Sequence, residues 1–338
     1  MTIQSMNLKI NDDLASQLRL LNEWIIASRG VIVSSHVNPD GDNIGSQLAL
    51  GEYLSSIGKK YLILDEDPLP RHYAFLPNSN QVNRYSDTAI VPKEYDLLIV
   101  VDSGDLERIG TVVKVIHPEM KVVNLDHHLS NTRFGQLNIV VEGASSIGEM
   151  LYYFFSVNGI GITANIASDL YLSIVSDTGF FRYDSTGTGT HLIAADLIER
   201  GIMPNYFHTH VNMMKTLGFI KVLGRSLTRL ELYEENSIAF SSIFYGDFQE
   251  FPDVDTEGMI EHIGTLDTVS VFCLIKEKRE KEYRASLRSK YDIDVAKIAG
   301  EFGGGGHKRA AGCQSGSLPL EEFKTKLIDS IKREMRLL

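Results

Sequence analysis

The stretch "HVNPDGD" (36–42) places one histidine and two aspartates within seven residues. Imidazole nitrogens and carboxylate oxygens are ligands that first-row divalent metals accept. A calcium loop does not fit the spacing, because the fifth and twelfth positions counted from Asp40 are Ile44 and Gly51, which carry no side-chain oxygen. Taken alone, the stretch is more typical of a turn whose acids cap the following helix.

Three later clusters repeat the same residue types. They are "VDSGD" with Asp102, "NLDHHLSN" with Asp126, His127 and His128, and "SIVSDTGFF" with Asp177. Adjacent histidines that follow an aspartate offer both imidazole and carboxylate ligands at one point of the chain. Four such clusters near the ends of predicted elements favour one cation-binding site over unrelated surface turns.

The elements that must position these residues can be predicted from short apolar runs. Such runs predict strands at 31–35, 61–65, 97–102 and 121–126. Apolar residues at helical spacing follow the first run, and Gly58 is the expected helix stop. Alternating buried strands and helices predict an α/β fold with a parallel sheet and helices on both faces. Ligands bind beyond the carboxyl ends of such strands, where the chemistry-bearing residues lie.

The second half of the chain has a different pattern. The sequence predicts a helix at 164–177, a break at 184–190, helices from 191 to about 231, strands at 237–244, 269–275 and 283–289, a glycine-rich turn at 303–313 and a closing amphipathic helix. Backbone N–H groups of a glycine turn can form an anion-binding nest. Arg284 and Arg288 lie four residues apart on one predicted strand and therefore share a face. Their guanidinium groups can bind phosphate through bidentate hydrogen bonds, or they can form a solvent-exposed face of the strand.

Composition limits the classes of function. The 338 residues are 43% hydrophobic and 23% charged, with a net charge of −11. This acidity argues against a broad basic surface for long nucleic acid, but it allows a nucleotide-sized substrate. The longest apolar run, at 97–101, is too short to span a bilayer, and the first residues do not resemble a secretory leader. With only Cys273 and Cys313, no disulfide framework is expected, and a cytoplasmic enzyme without a membrane partner is predicted.

The ordered set "HVNPDGDNIGS", "VDSGD", "DHH" and "SDTG" resembles the four motifs of the DHH phosphoesterase superfamily. The later "YRASLRS" and "GGGGHKRAAG" resemble the DHHA1 domain that accompanies it. The resemblance implies an N-terminal DHH catalytic domain at 1–190, a helical connector at 191–235 and a smaller α/β DHHA1 substrate-binding domain at 236–338. It also implies an active site in the cleft between the domains.

The resemblance implies two divalent metal ions, usually manganese, with magnesium or cobalt as alternatives. The implied ligands are His36, Asp40 and Asp177 for one ion, Asp42 and His127 for the other, and Asp102 for both. Two close divalent ions lower the pKa of a shared water and stabilise both oxygens of an in-line displacement at phosphorus. Gly41 is expected to bend the backbone so that the neighbouring aspartates reach different ions.

The other implied residues concern catalysis and substrate. Asp102 would act in catalysis through the ions, Asp126 would orient a histidine, and His128 would contact the substrate phosphate. The residues implied for the terminal phosphate or base are Arg288, Gly305, Gly306 and His307, with Arg284 beside them.

The implied activity is hydrolysis of very short oligoribonucleotides to 5′-mononucleotides and of adenosine 3′,5′-bisphosphate (pAp) to AMP and phosphate. The runner-up is a soluble phosphodiesterase for cyclic di-AMP or linear pApA, which would share the same metal site. A non-catalytic nucleotide sensor is the alternative of another class, but it should lack at least one ligand. A homodimer is left open.

Overall fold

The computed structural model describes residues 10–85 and 93–336, and it divides into two compact units, Met1–Met213 and Met214–Leu338. The division falls inside the stretch expected as a helical connector. Each unit has hydrophobic cores of its own. None of the helices in the described part of the chain is long and apolar enough to cross a membrane.

The first unit contains a sheet and a helical layer. Its strands are β1 (Val31–Ser34), β2 (Tyr61–Asp65), β3 (Val82–Arg84), β4 (Leu97–Val101), β5 (Lys121–Asp126) and β6 (Leu137–Val140). Its α-helices are α1 (Asp12–Ala27), α2 (Gly41–Ser56), α3 (Ile147–Val157), α4 (Ala164–Asp177), α5 (Thr188–Glu199) and α6 (Pro204–His208). Short 3-10 segments span Arg71–Tyr73, Ser79–Gln81 and Leu106–Val115, and a π-helical turn spans Thr209–Met213.

The six strands run parallel in the order β3-β2-β1-β4-β5-β6, so the predicted parallel sheet is confirmed. The chain builds outward from β1 to β3 on one side and then returns to place β4 on the other side of β1. This reversal is the topological switch point, and sheets of this kind bind ligands at the carboxyl ends of the strands there.

The central strands β1 and β4 are buried on both faces, as their apolar sequences require. Val31 and Val33 pack with the α-helices, whereas Ile32 between them faces the opposite side. That opposite side is covered by the 3-10 segment at 106–115, which buries Ile109 and Val112. Helices were expected on both faces of the sheet, and on this face the structure has a 3-10 helix that is interrupted at Gly110.

Two helices of the first unit were not anticipated. Helix α3 has the sequence "IGEMLYYFFSV" and is buried almost all round, so its apolar run does not by itself distinguish a helix from a buried strand. Helix α1 does show an amphipathic period, since Leu18, Leu21 and Ile25 are buried at helical spacing and Asn11 caps its first turn.

The second unit forms a mixed sheet with helices on both faces. Its elements are α7 (Leu217–Thr228), β7 (Glu231–Tyr233), β8 (Ile238–Ile243), α8 (Tyr245–Glu250), α9 (Met259–Ile263), β9 (Val271–Arg279), β10 (Glu282–Ser289), α10 (Val295–Gly300), β11 (Gly305–His307), β12 (Ala310–Gln314) and α11 (Leu320–Met335). The strand order is β11-β12-β10-β9-β8-β7, with β8 and β9 parallel and the other neighbours antiparallel.

The expectation of a glycine-rich turn at 303–313 is wrong, because this segment forms the hairpin of β11 and β12. Ala311 and Cys313 alternate into the core on β12, which supplies the buried face that a strand needs. The glycines and alanines of the hairpin have small side chains or none, so little side-chain volume projects from this edge of the sheet.

Candidate functional site

The sheet of the first unit gathers three of the candidate residues. His36 follows β1, Asp102 follows β4, and Asp126 ends β5. Because β1, β4 and β5 are adjacent and parallel, their carboxyl ends meet at one edge. Asp102 adopts a left-handed backbone with φ of 52°, a conformation that aspartate tolerates, and its N–H donates to Leu125 O at 3.0 Å.

Two helix ends bring further carboxylates to this edge. Asp40 caps α2, and its Oδ1 accepts hydrogen bonds from the N–H groups of Asp42 at 3.0 Å and Asn43 at 3.1 Å. Asp177 is the last residue of α4. The stretch 36–42 is thus a helix-capping turn and also part of an acidic cluster, so both interpretations of its sequence hold geometrically.

Glycines let the ends of α2 and α4 approach closely. A Cβ atom at Gly41 would lie 2.7 Å from the side chain of Ser176, and one at Gly45 would lie 2.3 Å from the carbonyl oxygen of Asp169. Gly41 is the first residue of α2. Gly41 therefore permits this close packing, and the expectation that it bends the backbone stays a prediction.

Asp102 is at the centre of the cluster. Its Oδ2 lies 3.6 Å from His36 Nε2, and its Oδ1 lies 3.5 Å from His127 Nε2. His127 Nε2 also lies 3.3 Å from Asp177 Oδ2 and 3.8 Å from Asp42 Oδ2. The candidate ligand atoms fall within 4.8 Å of one another in two groups that share Asp102, namely His36, Asp40 and Asp102, and Asp42, Asp102 and His127.

Both histidines are held in an orientation suited to metal binding. His36 Nδ1 lies 2.8 Å from Val37 O, and His127 Nδ1 lies 3.0 Å from Ala144 O. A carbonyl oxygen only accepts, so each Nδ1 carries the proton and each neutral imidazole points its Nε2 lone pair at carboxylates. Such a lone pair facing an anion is stable only with a cation or a proton between them, so the donor set fits divalent metal ions.

Asp42 is fully buried, and burial raises the pKa of its carboxyl group, although hydrogen bonds from its neighbours oppose this effect. Its two oxygens lie 3.1 and 3.0 Å from the N–H of Ile147, the first residue of α3. The hydroxyls of Ser46 and Ser173 also donate to it. The N-terminus of α3 favours a carboxylate here, so Asp42 is oriented before any cation arrives.

The titration of the cluster shows its excess of negative charge. Burial, followed by the nearby Asp42 carboxylate, raises the pKa of Asp102 well above its usual range. Burial also raises the pKa of Asp177 to about 8. Burial alone would lower the pKa of His127, but the carboxylates of Asp102, Asp177 and Asp42 outweigh it and raise this pKa. Metal ions would replace the protons that these groups otherwise retain.

Asp126 and His128 form a pair beside the cluster. His128 Nδ1 donates to Asp126 Oδ1 at 2.8 Å, and Asn131 donates to the other oxygen. Burial opposes ionisation of Asp126, but the hydrogen bond and charge of His128, the hydrogen bond from Asn131 and the charge of His127 together outweigh it and hold the pKa of Asp126 below its usual range. The pair fixes the ring of His128, whose Nδ1 also lies 3.5 Å from Asp102 Oδ1.

Asn43 is buried in the site, and the sequence motifs did not identify it as a site residue. Its Nδ2 donates to Asp102 Oδ2 at 2.6 Å, and its Oδ1 accepts from the N–H of Asp40 at 3.0 Å. One amide therefore orients the central carboxylate and completes the cap of α2. The signal was the position of Asn43 three residues after a capping aspartate, where a side chain reaches back to the cap.

In the second unit, the predicted substrate residues lie on β10 and β11, the two strands that flank β12 in the sheet. Arg288 pairs with Ala310 across to β12, and Ala310 pairs with His307 on β11, so Arg288 and His307 share a face of the sheet. Gly305 and Gly306 precede His307 on the edge strand. Arg288 Nε lies 3.6 Å from Glu261 Oε1, so its charge is partly balanced within the unit.

Lys276 extends this basic face and was not anticipated. It pairs with Arg284 across β9 and β10, so both cations lie on the face that carries Arg288. Burial, reinforced by Lys278, Arg288 and Arg284, lowers the pKa of Lys276 to about 8. The clustering of these cations in an acidic protein makes the face a candidate anion-binding surface.

The structure thus brings together all six predicted metal ligands, with Asp177 Oδ2 3.3 Å from His127 Nε2. The predicted division of the ligands between two ions stays a prediction. So do the roles assigned to Asp126, His128 and the residues of the second unit.

Comparisons with known proteins agree with this architecture. The DHH family, N-terminal domain, matches residues 30–174, and the DHHA1 domain matches residues 240–336. Over 334 residues the chain is 30% identical to the bifunctional oligoribonuclease and PAP phosphatase NrnA of Thermus thermophilus, with 94% of each chain covered.

Two solved structures share the fold. An exopolyphosphatase-related protein from Bacteroides fragilis has a TM-score of 0.84 at 22% identity, over 95% of this chain and 97% of the other. RecJ from Thermus thermophilus, solved in complex with Mn²⁺, has a TM-score of 0.57 at 14% identity, over 95% of this chain and 55% of RecJ. The two matched domains and the relative that spans both show that the chain belongs to the DHH family, with an N-terminal DHH domain followed by a DHHA1 domain.

Proposed function

We propose that this protein is a phosphoesterase, dependent on divalent metal, that hydrolyses very short oligoribonucleotides to 5′-mononucleotides and pAp to AMP and phosphate. The observation that carries the proposal is the buried cluster around Asp102, whose carboxylates and imidazoles converge at the switch point of the sheet. The full-length similarity to a bifunctional oligoribonuclease and PAP phosphatase supports the choice of substrates.

We assign the metal ligands to His36, Asp40, Asp42, Asp102, His127 and Asp177, and we favour manganese because four of the six are carboxylates, which suit it. When bound, two divalent ions would acidify a water and polarise the phosphoryl oxygens. Asn43 and the N-terminus of α3 hold the central carboxylates in place before substrate binds.

His128 is assigned to the substrate phosphate. Asp126 accepts a hydrogen bond from the Nδ1–H of His128, which fixes the orientation of the ring. When the imidazole is protonated, Nε2 is then the nitrogen that can donate a hydrogen bond to a phosphoryl oxygen. The basic face of the second unit, with Arg284, Arg288 and His307, is proposed to bind the terminal phosphate or base, together with Gly305 and Gly306.

We also propose that the protein works in a reducing compartment, the cytoplasm. Cys273 and Cys313 are both free and buried, which fits thiols that are never oxidised to a disulfide framework.

The test compares turnover of pApA, pAp, an RNA trimer and cyclic di-AMP by metal-free protein resupplied with Mn²⁺. We expect the linear substrates to be hydrolysed and Asp102→Ala to lose at least about 1,000-fold in rate, because it removes the shared ligand. Asp13→Asn, an exposed change on α1, is the matched control. Much faster turnover of cyclic di-AMP would favour the dinucleotide phosphodiesterase. No hydrolysis of any ester would favour a binding protein.

A further inference from the structure

A short segment between β6 and α3 contacts two of the candidate metal ligands through its backbone. The carbonyl oxygen of Ala144 lies 3.0 Å from His127 Nδ1. The N–H of Ile147 lies 3.1 and 3.0 Å from the two oxygens of Asp42. His127 and Asp42 belong to the same group of candidate ligands. The position of residues 144–147 therefore sets the orientation of one imidazole and one carboxylate of that group.

The carboxylate of Glu149, in the first turn of α3, holds this segment in place. Its Oε2 accepts hydrogen bonds from the N–H of Ser145 at 3.2 Å and from the hydroxyl of Ser145 at 2.5 Å. The hydroxyl of Thr190 on α5 donates to the same oxygen at 3.2 Å, and that of Tyr153 donates to Oε1 at 2.8 Å. All four residues are buried. One carboxylate thus joins the segment to both α3 and α5.

Capping of α3 does not account for these contacts. Ser146 is the N-cap residue, and its hydroxyl accepts from the N–H of Glu149 at 3.2 Å. In a capping box, the acidic side chain at this position returns to the N–H of the cap residue itself. Here it reaches one residue further, to Ser145, which is next to Ala144. The contact therefore fixes backbone beyond the helix, beside the carbonyl group that faces His127.

The chemistry of the contacts shows what a substitution must preserve. Thr190 Oγ1 accepts from the N–H of Gly187 at 3.2 Å and uses its own proton to donate to Glu149. Glu149 Oε2 is therefore an acceptor for three donors. The amide oxygen of glutamine could accept the same hydrogen bonds, and its nitrogen could donate to the hydroxyl oxygen of Tyr153. Methionine has a similar length, but its thioether is only a weak acceptor.

We propose that Glu149 is a positioning residue for the metal centre, since it fixes residues 144–147 and through their backbone orients His127 and Asp42. The proposal rests on the proposed function, because it requires divalent ions at the buried cluster. Groups that orient metal ligands commonly change metal affinity by one to two orders of magnitude. Because both oriented side chains belong to one ligand group, loss of Glu149 should weaken one ion more than the other.

The test is a calorimetric titration of Mn²⁺ into metal-free wild type, Glu149→Gln and Glu149→Met. We expect Glu149→Met to bind one ion about 10- to 100-fold more weakly and the other as wild type does. Glu149→Gln should match wild type for both ions, because it keeps an acceptor for Ser145. Ser145→Ala removes one donor and should weaken the same ion by less. If Glu149→Met does not fold, unchanged affinity in Ser145→Ala would overturn the inference.

Asp196→Leu is the matched control, since Asp196 is a buried carboxylate on α5 that accepts from Tyr152 at 3.0 Å and from Arg200 at 2.7 Å. This variant should lower Tm and leave both Mn²⁺ affinities unchanged. Equal weakening of both ions by Glu149→Met would show a general structural role and overturn the inference, as would wild-type affinity for both.

The proposed function fails separately if the wild type binds no divalent ion. The NMR signal of the His127 Nδ1–H, which reports the hydrogen bond to Ala144 O, then decides the positioning role. We expect this signal to shift in Glu149→Met and to keep its wild-type position in Glu149→Gln. The same position in all three proteins would reject the role of Glu149.

Discussion

At the scale of single residues, the site depends on groups that are not ligands themselves. Asn43 illustrates this, because one buried amide joins the carboxylate of Asp102 to the cap of α2. Outer hydrogen bonds of this kind fix the orientation of ligands and commonly contribute one to two orders of magnitude in metal affinity.

Replacement of Asn43 should therefore weaken metal binding without removing a ligand. We expect Asn43→Ala to lower Mn²⁺ affinity about 10- to 100-fold, measured by calorimetric titration of metal-free protein. Asn138→Ala is the control, since Asn138 bonds only to the backbone of Gly135 in a loop of the first unit. Unchanged affinity in Asn43→Ala would show that Asp102 needs no such support.

Asp65 provides a prediction about pH. Its Oδ1 accepts from the N–H of Ser35 at 3.0 Å and from Gln47 at 2.8 Å, and burial raises its pKa to about 6. The folded state thus binds this proton more tightly than the unfolded chain does, so stability falls as pH rises from about 4 to about 6. Asp65→Asn has no carboxyl group to titrate at this position, so it should not show this loss of folding stability with rising pH.

The free energy of unfolding of Asp65→Asn, relative to wild type, should accordingly increase by about 3 kcal/mol between pH 4 and pH 7. Urea titrations in the presence of chelator measure it, with Glu119→Gln on the surface as control. A difference that does not change with pH would mean that Asp65 titrates normally.

At the scale of elements, the approach of α2 to α4 determines whether Asp42 and Asp177 can share one site. Gly45→Ala would place a methyl group 2.3 Å from the carbonyl oxygen of Asp169, a backbone atom that cannot move aside cheaply. We expect this variant to lower Tm by several degrees and to lose most of its bound metal, measured by thermal unfolding and elemental analysis. Gly161→Ala, which has open space at its Cβ, should match wild type.

The elements also show what the sequence could and could not predict. Strand ends with His36, Asp102 and Asp126 were predictable because apolar runs locate parallel strands and parallel strands align their ends. The α3 helix was not, since an almost continuous apolar run is compatible with either a buried strand or a buried helix. The capping role of Asn43 has a sequence signal, but its contact with Asp102 and the pairing of Lys276 with Arg284 depend on which side chains meet across elements, and sequence patterns do not encode such contacts. The β11–β12 hairpin was not predicted, because a run of glycines is more typical of a turn than of a strand.

At the scale of the whole molecule, the two units have separate cores, and every candidate metal ligand belongs to the first unit. A ligand stabilises only the part that binds it. The single tryptophan, Trp24, lies on α1 and therefore reports on the first unit alone.

We expect Mn²⁺ at about 100 times its Kd to raise the midpoint of the tryptophan fluorescence transition by about 5–10 °C. Circular dichroism, which follows both units, should show a second transition that does not move. A single transition that shifts as a whole in both signals would contradict independent units.

The gathering of ligands from distant strand and helix ends also has a consequence for synthesis on the ribosome. Asp177 follows His36 by 141 residues, so at about 5–20 residues per second roughly seven to thirty seconds separate the synthesis of the first and last ligands. During that interval the nascent chain carries acids that repel one another and no complete site to neutralise them. Metal loading must then be one of the last events in the maturation of the first unit.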